Sequence, residues 1–363
     1  MKRRPVAPLK RILVIRLSSL GDVILAGPLV RVLNRSHLAV EVDFLTRAAY
    51  RPMLDAFPEL QERWSWEGNR SAQRRLAAAL KARRYEVVVD LQNNLRSRLI
   101  TARLSPPRVY RYSRPRFNRW LRINIPALRR RLPVPPPVPL GYLAAAAGLE
   151  VADDGLGLEL KPPPQWLADA GGVVEEYLRR TGLPTDSPIL TVAPGARHAT
   201  KRWLPERWAE FLRAAYDAGW RSQVIVGDAG DESLTAEICR GLPHPVLNLA
   251  GKTDLPQLTG VIASAALFIG SDSGPMHIAA AVGTPLVAIF GPTVPEFGFA
   301  PFRRRDSLVQ VADLACRPCH PHGPKRCPLK HFRCMTDITT SHLLAALRQV
   351  APQPAAIKTA EVR

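Results

Sequence analysis

An aspartate near the N-terminus stands at the start of a predicted helix, where it could act as a base. Residues 18–22 (SSLGD) lie between an apolar run and an amphipathic stretch, which predicts a strand-to-helix turn. Gly21 lets a ligand approach the backbone, and the helix N-terminus attracts negative charge. The same dipole keeps Asp22 ionised, which suits a carboxylate that accepts a hydroxyl proton. An aspartate at this position is also the ordinary helix cap, and the local sequence leaves both roles open.

A second turn combines glycines, hydroxyls and a histidine in residues 270–277 (GSDSGPMH). Ser273 can cap the helix that follows, and Pro275 suits its first position. The backbone N–H groups between Gly274 and His277 would then point outward and form an anion cradle suited to a diphosphate. His277 could donate to a phosphate oxygen, or it could be an ordinary core or solvent-facing histidine.

A basic loop follows the predicted strand at 189–193. Residues 192–203 (VAPGARHATKRW) carry Arg197, His198, Lys201 and Arg202, and they end at a predicted helix that starts with Pro205. If this loop lies beside the second turn, its cations can neutralise charge that develops on a departing diphosphate. Basic loops are also often only solvated surface.

Four cysteines lie close together near the C-terminus. Cys316, Cys319, Cys327 and Cys334 are separated by gaps of two, seven and six residues, with His320, His322 and His331 among them. Four thiolates in one loop predict a structural zinc site, although only the first pair has the usual spacing. In a reducing compartment, buried free thiols are the alternative.

Positive charge is concentrated in one part of the chain. Lys and Arg number 51 against 31 Asp and Glu, which gives a formal net charge of +20. No acidic residue occurs between Asp90 and Glu150, whereas twelve arginines do. A solvated surface normally mixes both signs, so this stretch predicts a binding face for phosphates. The arginines are Arg96, Arg98, Arg103, Arg108, Arg111, Arg114, Arg116, Arg119, Arg122, Arg129, Arg130 and Arg131.

Strands that alternate with helices must position these residues. The pattern predicts two parallel, doubly wound sheets, with ligands at the carboxyl ends of the strands. Strands are predicted at 12–15, 40–45, 86–91, 189–193, 223–226, 246–249, 267–269 and 286–290. Helices are predicted at 166–181, 205–215, 233–240, 255–265 and 275–282.

Proline-rich segments indicate the domain boundary. Residues 132–140 (LPVPPPVPL) predict an extended linker or loop, and three further prolines stand at 162–164. We therefore predict an N-terminal Rossmann-like domain at 1–165, a C-terminal one at 166–345 and a tail at 346–363. The two domains are expected to face a cleft, with the turn that carries Asp22 opposite the turn at 270–277.

Absent motifs exclude some functions. The first turn does not match the dinucleotide fingerprint G-x-G-x-x-G, and the chain has no P-loop motif, which argues against a dehydrogenase or an ATPase. The apolar run at 12–15 is too short for a signal peptide, despite basic residues at 2–4, and glycines and prolines interrupt the longest apolar run at 278–294. We expect a cytoplasmic protein that can dock on an anionic inner leaflet.

Taken together, these segments resemble glycosyltransferase family 9, the heptosyltransferases of lipopolysaccharide core assembly. The resemblance is carried, in family order, by residues 12–23 (ILVIRLSSLGDV), 90–92 (DLQ), 194–196 (PGA) with 201–206 (KRWLPE), and 270–277 with 283–285 (GTP). Ser273 stands where some relatives have threonine, so the hydroxyl is kept.

The resemblance implies a GT-B fold and an inverting transfer of heptose from ADP-heptose that requires no cofactor. It places Asp22 as general base and Lys201 as the lysine that binds the diphosphate. Donor binding falls to Asp272, Ser273, Gly274, Pro275, Met276, His277, Arg197 and Asp228. We assign Ser18, Ser19, Gly21, Arg96, Arg98 and Arg119 to the acceptor, a phosphorylated, lipid A-linked inner core.

Two other functions remain open from the sequence. The arginine-rich span also contains Tyr110, Tyr112, Phe117 and Trp120, and such interleaving can bind nucleic acid. A sugar-binding module without transfer activity is the second alternative, because a fold does not determine a reaction. No nucleic-acid partner is expected if the family resemblance holds.

Overall fold

The computed structural model describes residues 11–36, 40–129, 131–304 and 307–351. Each strand runs parallel to its neighbours, as expected for strands separated by helices. The strands are β1 (Arg11–Ile15), β2 (Glu41–Arg47), β3 (Arg63–Trp66), β4 (Val87–Asp90), β5 (Arg108–Arg111), β6 (Ile189–Ala193), β7 (Ser222–Ile225), β8 (Leu247–Asn248), β9 (Leu267–Ser271), β10 (Leu286–Phe290) and β11 (Ser307–Gln310).

Helices follow most of the strands. They are α1 (Leu20–Ile24), α2 (Gly27–Arg35), α3 (Arg70–Ala82), α4 (Leu95–Leu104), α5 (Arg116–Asn124), α6 (Val138–Ala145), α7 (Pro164–Thr181), α8 (Pro205–Asp217), α9 (Glu232–Arg240), α10 (Leu255–Ala263), α11 (Gly274–Val282), α12 (Arg333–Thr336) and α13 (Thr340–Val350). Within the described residues, no helix has both the length and the apolar character needed to cross a bilayer.

The first compact unit contains the described residues up to Arg114 together with Pro136–Lys161. Its five strands lie in the order β3-β2-β1-β4-β5. The chain moves outward from β1 to β3 and then crosses to β4 on the other side of β1, so the order reverses between β1 and β4. Open α/β sheets bind ligands at such a reversal. The turn after β1, which carries Asp22, lies at this point.

The second unit contains Pro115–Pro135 and the described residues from Pro162 onward. Its six strands lie in the order β11-β10-β9-β6-β7-β8, so the order reverses between β6 and β9. The basic loop follows β6 and the 270–277 turn begins within β9, which places the two segments at neighbouring strand ends. Lys201 of the basic loop contacts Asp272 of the 270–277 turn, so the two segments lie side by side.

Tryptophans fix the end of the basic loop. Trp203 and Trp208 are fully buried and pack edge to face with ring centroids 5.4 Å apart. The Trp203 indole N–H also donates to the Ile338 carbonyl at 3.1 Å. The residue two positions before Trp203 is Lys201, so this packing holds Lys201 close to the sheet.

Two segments differ from their sequence-based descriptions. The prolines of 132–140 predict an extended segment, but α6 begins at Val138, because Pro139 takes the second helical position, where no N–H bond is needed. Residues 115–135 pack with the second unit rather than the first, since Arg119 donates to the Phe297 carbonyl at 2.8 Å. Of the tail at 346–363, residues up to Val350 belong to α13, and 352–363 lie outside the described residues, as do Arg130 and the basic residues 2–4.

Candidate active site

The first turn follows β1 and opens α1. Asp22 is the third residue of α1, and its Oδ2 accepts hydrogen bonds from the backbone N–H and the hydroxyl of Ser19, both at 2.9 Å. This is the return bond of a capping box, so the capping role is present in the structure. Ser18 is half-buried, Ser19 exposed and Gly21 buried. Of these three residues, Ser19 offers the most surface to a ligand.

A buried arginine determines the charge of Asp22. The Arg16 side chain is fully buried, and its Nη2 lies 2.6 Å from Asp22 Oδ1. The Tyr142 hydroxyl donates to the same oxygen at 3.4 Å. Burial alone would raise the pKa of Asp22, but the Arg16 charge and the Ser19 N–H outweigh burial and lower the pKa to about 2. Asp22 is therefore ionised at any physiological pH.

Residues at the end of β4 hold the backbone of this turn. The buried Asp90 carboxylate accepts from the Gln92 N–H at 3.1 Å and from the Ser97 hydroxyl at 2.8 Å. Gln92 Oε1 in turn accepts from the N–H groups of Leu17 and Ser18 at 3.1 and 3.2 Å. The motif at 90–92 thus supports the loop that follows β1.

The second turn contains a buried ion pair. Lys201 Nζ lies 2.6 Å from Asp272 Oδ2 and donates to the Asp272 carbonyl at 3.1 Å. The Thr293 hydroxyl donates to Asp272 Oδ2 at 2.8 Å. Burial would raise the pKa of Asp272, but Lys201 and Thr293 reverse this effect and hold the pKa below its usual range. Because both charges are largely desolvated, loss of either one leaves the other uncompensated.

The start of α11 has an unsatisfied hydroxyl. Ser273 precedes the helix, and its Oγ is buried with no hydrogen-bond partner among the described residues. The helix starts at Gly274, and Pro275 takes its second position. Met276 is a core side chain, so only its backbone can contact a ligand, and His277 is buried rather than solvent-facing. A buried hydroxyl at a helix N-terminus fits an anion that supplies its missing partner.

The other cations of the basic loop differ in exposure. Arg197 is exposed, whereas His198 is half-buried beside Lys201. Burial and the charge of Lys201 lower the pKa of His198, so this imidazole is neutral at pH 7. Lys201 and Arg197 therefore provide the charge of this loop that a ligand could meet.

Arg202 is occupied by a structural ion pair. Its Nη2 lies 3.0 Å from the buried Asp231 carboxylate, and a Cβ added to Gly195 would lie 2.0 Å from Asp231 Oδ2. Only glycine at position 195 allows this approach. Asp228 is exposed and caps the next turn, with Oδ1 accepting from the Gly230 N–H at 2.8 Å. The exposed carboxylate at this strand end is Asp228, and the buried one is Asp231.

The arginines assigned to the acceptor separate into two groups. Arg96 and Arg98 are exposed on α4, and Arg98 Nε donates to Asn93 Oδ1 at 3.0 Å. Arg119 is only 6% exposed, and its guanidinium lies over the rings of Phe297 and Phe299 as well as bonding the Phe297 carbonyl. The assignment of Arg119 to a phosphate is therefore corrected, because this side chain links two segments of the second unit.

The predicted zinc site is not assembled. In the described part of the chain, no three His, Cys, Asp or Glu side chains form a group that could hold a metal. Cys334 packs into the core of the second sheet, and burial raises its pKa to about 12. The Arg317 guanidinium instead fixes the segment, donating to the carbonyls of Phe290 and Thr293 at 3.2 and 2.8 Å. The cysteines concerned are Cys316, Cys319, Cys327 and Cys334, which are free thiols.

Several residues that shape these turns were not among the predicted site residues. Arg16 carries a detectable signal, because a charged residue directly after the apolar strand at 12–15 must find a buried partner. Tyr142 and Thr293 carry no such signal in the sequence, since each lies far along the chain from the aspartate that it contacts.

Comparison with protein families gives a match over most of the chain. A model described as glycosyltransferase family 9 (heptosyltransferase) matches residues 73–331. This range includes Lys201, Asp272 and the start of α11, whereas the turn that carries Asp22 precedes it.

Several known proteins similar to this chain are heptosyltransferases. Lipopolysaccharide heptosyltransferase 2 of Salmonella typhimurium is 30% identical over 304 residues, covering 79% of this chain and 84% of that protein. A solved family 9 glycosyltransferase from Veillonella parvula superimposes with a TM-score of 0.76 at 20% identity and covers 95% of this chain and 98% of its own. The Escherichia coli ADP-heptose LPS heptosyltransferase II superimposes with a TM-score of 0.72 at 24% identity and covers 94% of this chain and 98% of its own. The expected GT-B class, with two parallel α/β sheets, is confirmed.

Proposed function

The chain belongs to glycosyltransferase family 9, and from this premise we propose that it transfers heptose, with inversion, from ADP-heptose to a phosphorylated, lipid A-linked inner core. Its relatives make it a glycosyltransferase of the heptosyltransferase type that serves lipopolysaccharide core biosynthesis. The observation that carries the proposal is the Lys201–Asp272 pair beside the unsatisfied Ser273 hydroxyl at the start of α11.

The donor diphosphate would bind at the start of α11. The Ser273 hydroxyl would donate to a phosphate oxygen, together with backbone N–H groups of the first turn, and the helix dipole favours the negative charge. Lys201, already next to this turn, would stabilise the charge that grows on the leaving ADP. Arg197 and Asp228 are exposed at neighbouring strand ends and would contact the rest of the donor. His277, which is buried in the first turn of α11, would donate to a phosphate oxygen of the donor.

Asp22 would accept the proton of the attacking acceptor hydroxyl. Its low pKa keeps it ionised. Its Oδ1 has a short contact with Arg16 at 2.6 Å and a long bond from Tyr142 at 3.4 Å, and an incoming hydroxyl could replace the long one. The Arg16 ion pair and the Ser19 bonds would keep the carboxylate oriented during this exchange. A pKa of about 2 makes Asp22 a weak base at neutral pH, so the proton would leave late, after the bond to ADP has weakened and the attacking hydroxyl has become more acidic.

The acceptor would be held by surface cations and by the first turn. Arg96 and Arg98 are exposed in a stretch without acidic residues, which suits the phosphates of the inner core. Ser18, Ser19 and Gly21 would contact the sugar that carries the attacking hydroxyl. The acceptor is lipid-linked, so we also propose work at the cytoplasmic face of the inner membrane, in peripheral contact with anionic lipid.

In this proposal the cations of the chain perform the charge neutralisation for which other transferases use a metal. A nucleic-acid partner is not favoured, since the family match covers both the basic loop and the α11 turn, which such a partner would leave without a role.

A panel of nucleotide sugars tests the donor. With a lipid A-linked acceptor present, release of ADP from ADP-heptose is expected, with no release of UDP or GDP from their sugars. ADP should also raise the melting temperature where UDP and GDP do not. Turnover of a UDP-sugar in place of ADP-heptose would overturn the donor assignment.

A matched pair of variants tests the acceptor. R96A/R98A is expected to raise the acceptor KM about tenfold or more, with the donor KM unchanged, because about two phosphate contacts are lost. R179A/R180A removes two exposed arginines of α7 and is the control. Equal acceptor KM values for the two variants would show that Arg96 and Arg98 do not bind the acceptor.

A further inference from the structure

Helix α5 buries two arginines and exposes two aromatic residues, which is the opposite of an ordinary surface helix. Arg119 and Arg122 are 6% and 7% exposed, whereas Phe117 and Trp120 are 73% and 54% exposed. In an ordinary surface helix the aromatic side chains face the core and the cations face water. The helix is short, and these two pairs of residues lie on opposite sides of it.

Hydrogen bonds to backbone carbonyls hold the arginine face in place. Arg119 bonds the Phe297 carbonyl, and Arg122 bonds the Arg129 and Leu132 carbonyls at 3.1 and 2.5 Å. Arg129 returns a bond to the Arg122 carbonyl at 2.7 Å and another to the Arg317 carbonyl. The arginines thus anchor the helix to the second unit and leave its aromatic face outward.

The outward face has the composition of a membrane-interface element. The Phe117 and Trp120 rings stack with centroids 6.4 Å apart and planes 11° apart, and they form one continuous apolar surface. Ile125, directly after the helix, is 37% exposed, and Val134 is 60% exposed. Large aromatics exposed together are rare on a surface that meets only water. Trp and Phe favour the boundary between headgroups and acyl chains.

The charge around this face complements an anionic bilayer. Arg116 precedes Phe117 and is exposed, and Arg131 is exposed in the loop that follows the helix. No acidic residue occurs in residues 91–149, so no side chain of this stretch repels lipid phosphates. Each cation near an anionic leaflet adds electrostatic attraction, and the aromatics add apolar burial.

We propose that α5 docks on an anionic phospholipid bilayer, with Phe117 and Trp120 in the headgroup region and with Arg116 and Arg131 on lipid phosphates. This inference rests on the proposed function in one respect, that a lipid-linked acceptor is reached from a membrane surface. The bilayer is favoured over a nucleic acid, since the exposed aliphatic side chains of Ile125 and Val134 can be buried in lipid but offer nothing on which a base could stack.

Vesicle co-sedimentation with the full chain tests the docking. Vesicles of phosphatidylglycerol and phosphatidylethanolamine should bind the protein, and vesicles of phosphatidylcholine should not. F117S/W120S is expected to lower the fraction bound to anionic vesicles about tenfold or more. The control is L167S/V173S, which removes two exposed apolar side chains of α7 in the same unit and should bind as the unchanged protein does.

The outcomes separate this inference from the proposed function. Stabilisation by ADP in F117S/W120S shows that the variant is folded and that its donor site is intact. Wild-type binding by F117S/W120S, or equal binding to phosphatidylcholine, would overturn the docking surface whatever the transferase activity. If F117S/W120S lost binding to a single-stranded RNA oligonucleotide and kept its vesicle binding, the partner of this face would be a nucleic acid and the bilayer proposal would be overturned. Failure of ADP to stabilise any of these proteins bears on the donor assignment alone.

Discussion

The two strand-to-helix turns place an aspartate beside a cation at the same distance, yet the serine that precedes the helix has a hydrogen-bonded hydroxyl in only one of them. Arg16 lies 2.6 Å from Asp22 in the turn after β1, and Lys201 lies 2.6 Å from Asp272 in the turn after β9. Asp22 belongs to its helix and bonds back to Ser19. Asp272 precedes its helix and faces Lys201, which leaves the Ser273 hydroxyl without a partner in the described structure.

The difference between the two turns indicates which of them requires a ligand. A carboxylate inside the first helical turn completes its own cap, so the cap of α1 is satisfied without substrate. A carboxylate two residues before the helix, as Asp272 is, cannot do so, and a buried polar group without a partner is costly. We therefore expect the second turn to depend on its ligand and the first to depend on its ion pair.

The largest effect should follow the loss of Lys201. K201A is expected to lower kcat about 10³-fold and to destabilise the fold by about 3 kcal/mol, since Asp272 is left as an unpaired buried charge. Initial rates with ADP-heptose and urea unfolding measure the two effects.

The double variant K201A/D272N separates the two roles of this lysine. It removes the unpaired charge and is expected to regain most of the stability without regaining transfer. Recovery of transfer in the double variant would make Lys201 a purely structural residue and would break the comparison between the turns.

Loss of the Asp22 charge should have the next largest effect. D22N is expected to lower kcat about 10²- to 10³-fold while ADP still stabilises the protein, because the amide cannot accept a proton. Y142F is the matched control, as it removes one of the bonds to Asp22 and keeps the carboxylate. A D22N protein that transfers sugar at the wild-type rate would refute the base assignment.

The low pKa of Asp22 also predicts an acid limit to stability. A folded-state pKa of about 2 lies below the unfolded value, so the contribution of Asp22 is complete above about pH 4 and is lost as the pH falls towards 2. The loss amounts to about 2 kcal/mol.

Urea unfolding between pH 5 and pH 2 measures this dependence. The decline should be shallower for D22N than for the wild type, whereas D55N, at a half-exposed surface pair, should follow the wild type. Parallel profiles for D22N and the wild type would mean that Arg16 does not lower the pKa of Asp22 in solution.

The smallest effect tests the unsatisfied hydroxyl. S273A is expected to weaken ADP binding about fivefold to tenfold, since one hydrogen bond to a charged phosphate is lost. The free protein should be no less stable, because the hydroxyl has no partner to lose within the described residues. Thermal melts with and without ADP check both parts, and a destabilised free protein with unchanged ADP affinity would contradict the assignment.

Much of the fold follows from local signals in the sequence. The β-branched runs at 189–193 and 286–290 are strands with those bounds, and Asp254 caps α10 by accepting from the Gln257 N–H at 2.8 Å. These elements are set by residues next to one another, so periodicity and capping rules are sufficient. The pairing of the basic loop with the 270–277 turn also follows, from the order of parallel strands.

Long-range polar contacts could not be predicted in the same way. Tyr142 reaches Asp22 across 120 residues, and Thr293 reaches Asp272 only after β10 is in place. The arginines of 96–131 look alike in sequence, yet Arg96 is exposed and Arg119 is buried, because burial depends on which carbonyls the fold presents. Cys334 belongs to the cysteine cluster that predicts zinc, but it packs among apolar side chains in the core of the second sheet.

The segment at 115–135, which belongs to the second unit but lies between two stretches of the first, has a consequence for chimaeric proteins. The chain leaves the first unit after Arg114, returns at Pro136 and leaves it again after Lys161, so neither unit is a single uninterrupted stretch. A chimaera joined to a relative at one crossover near 161 would take Arg119 and Arg129 from one parent. The segments around Phe297 and Arg317, whose carbonyls these arginines bind, would come from the other parent. Functional recombinants of this scaffold should therefore need three junctions, near 114, 135 and 161.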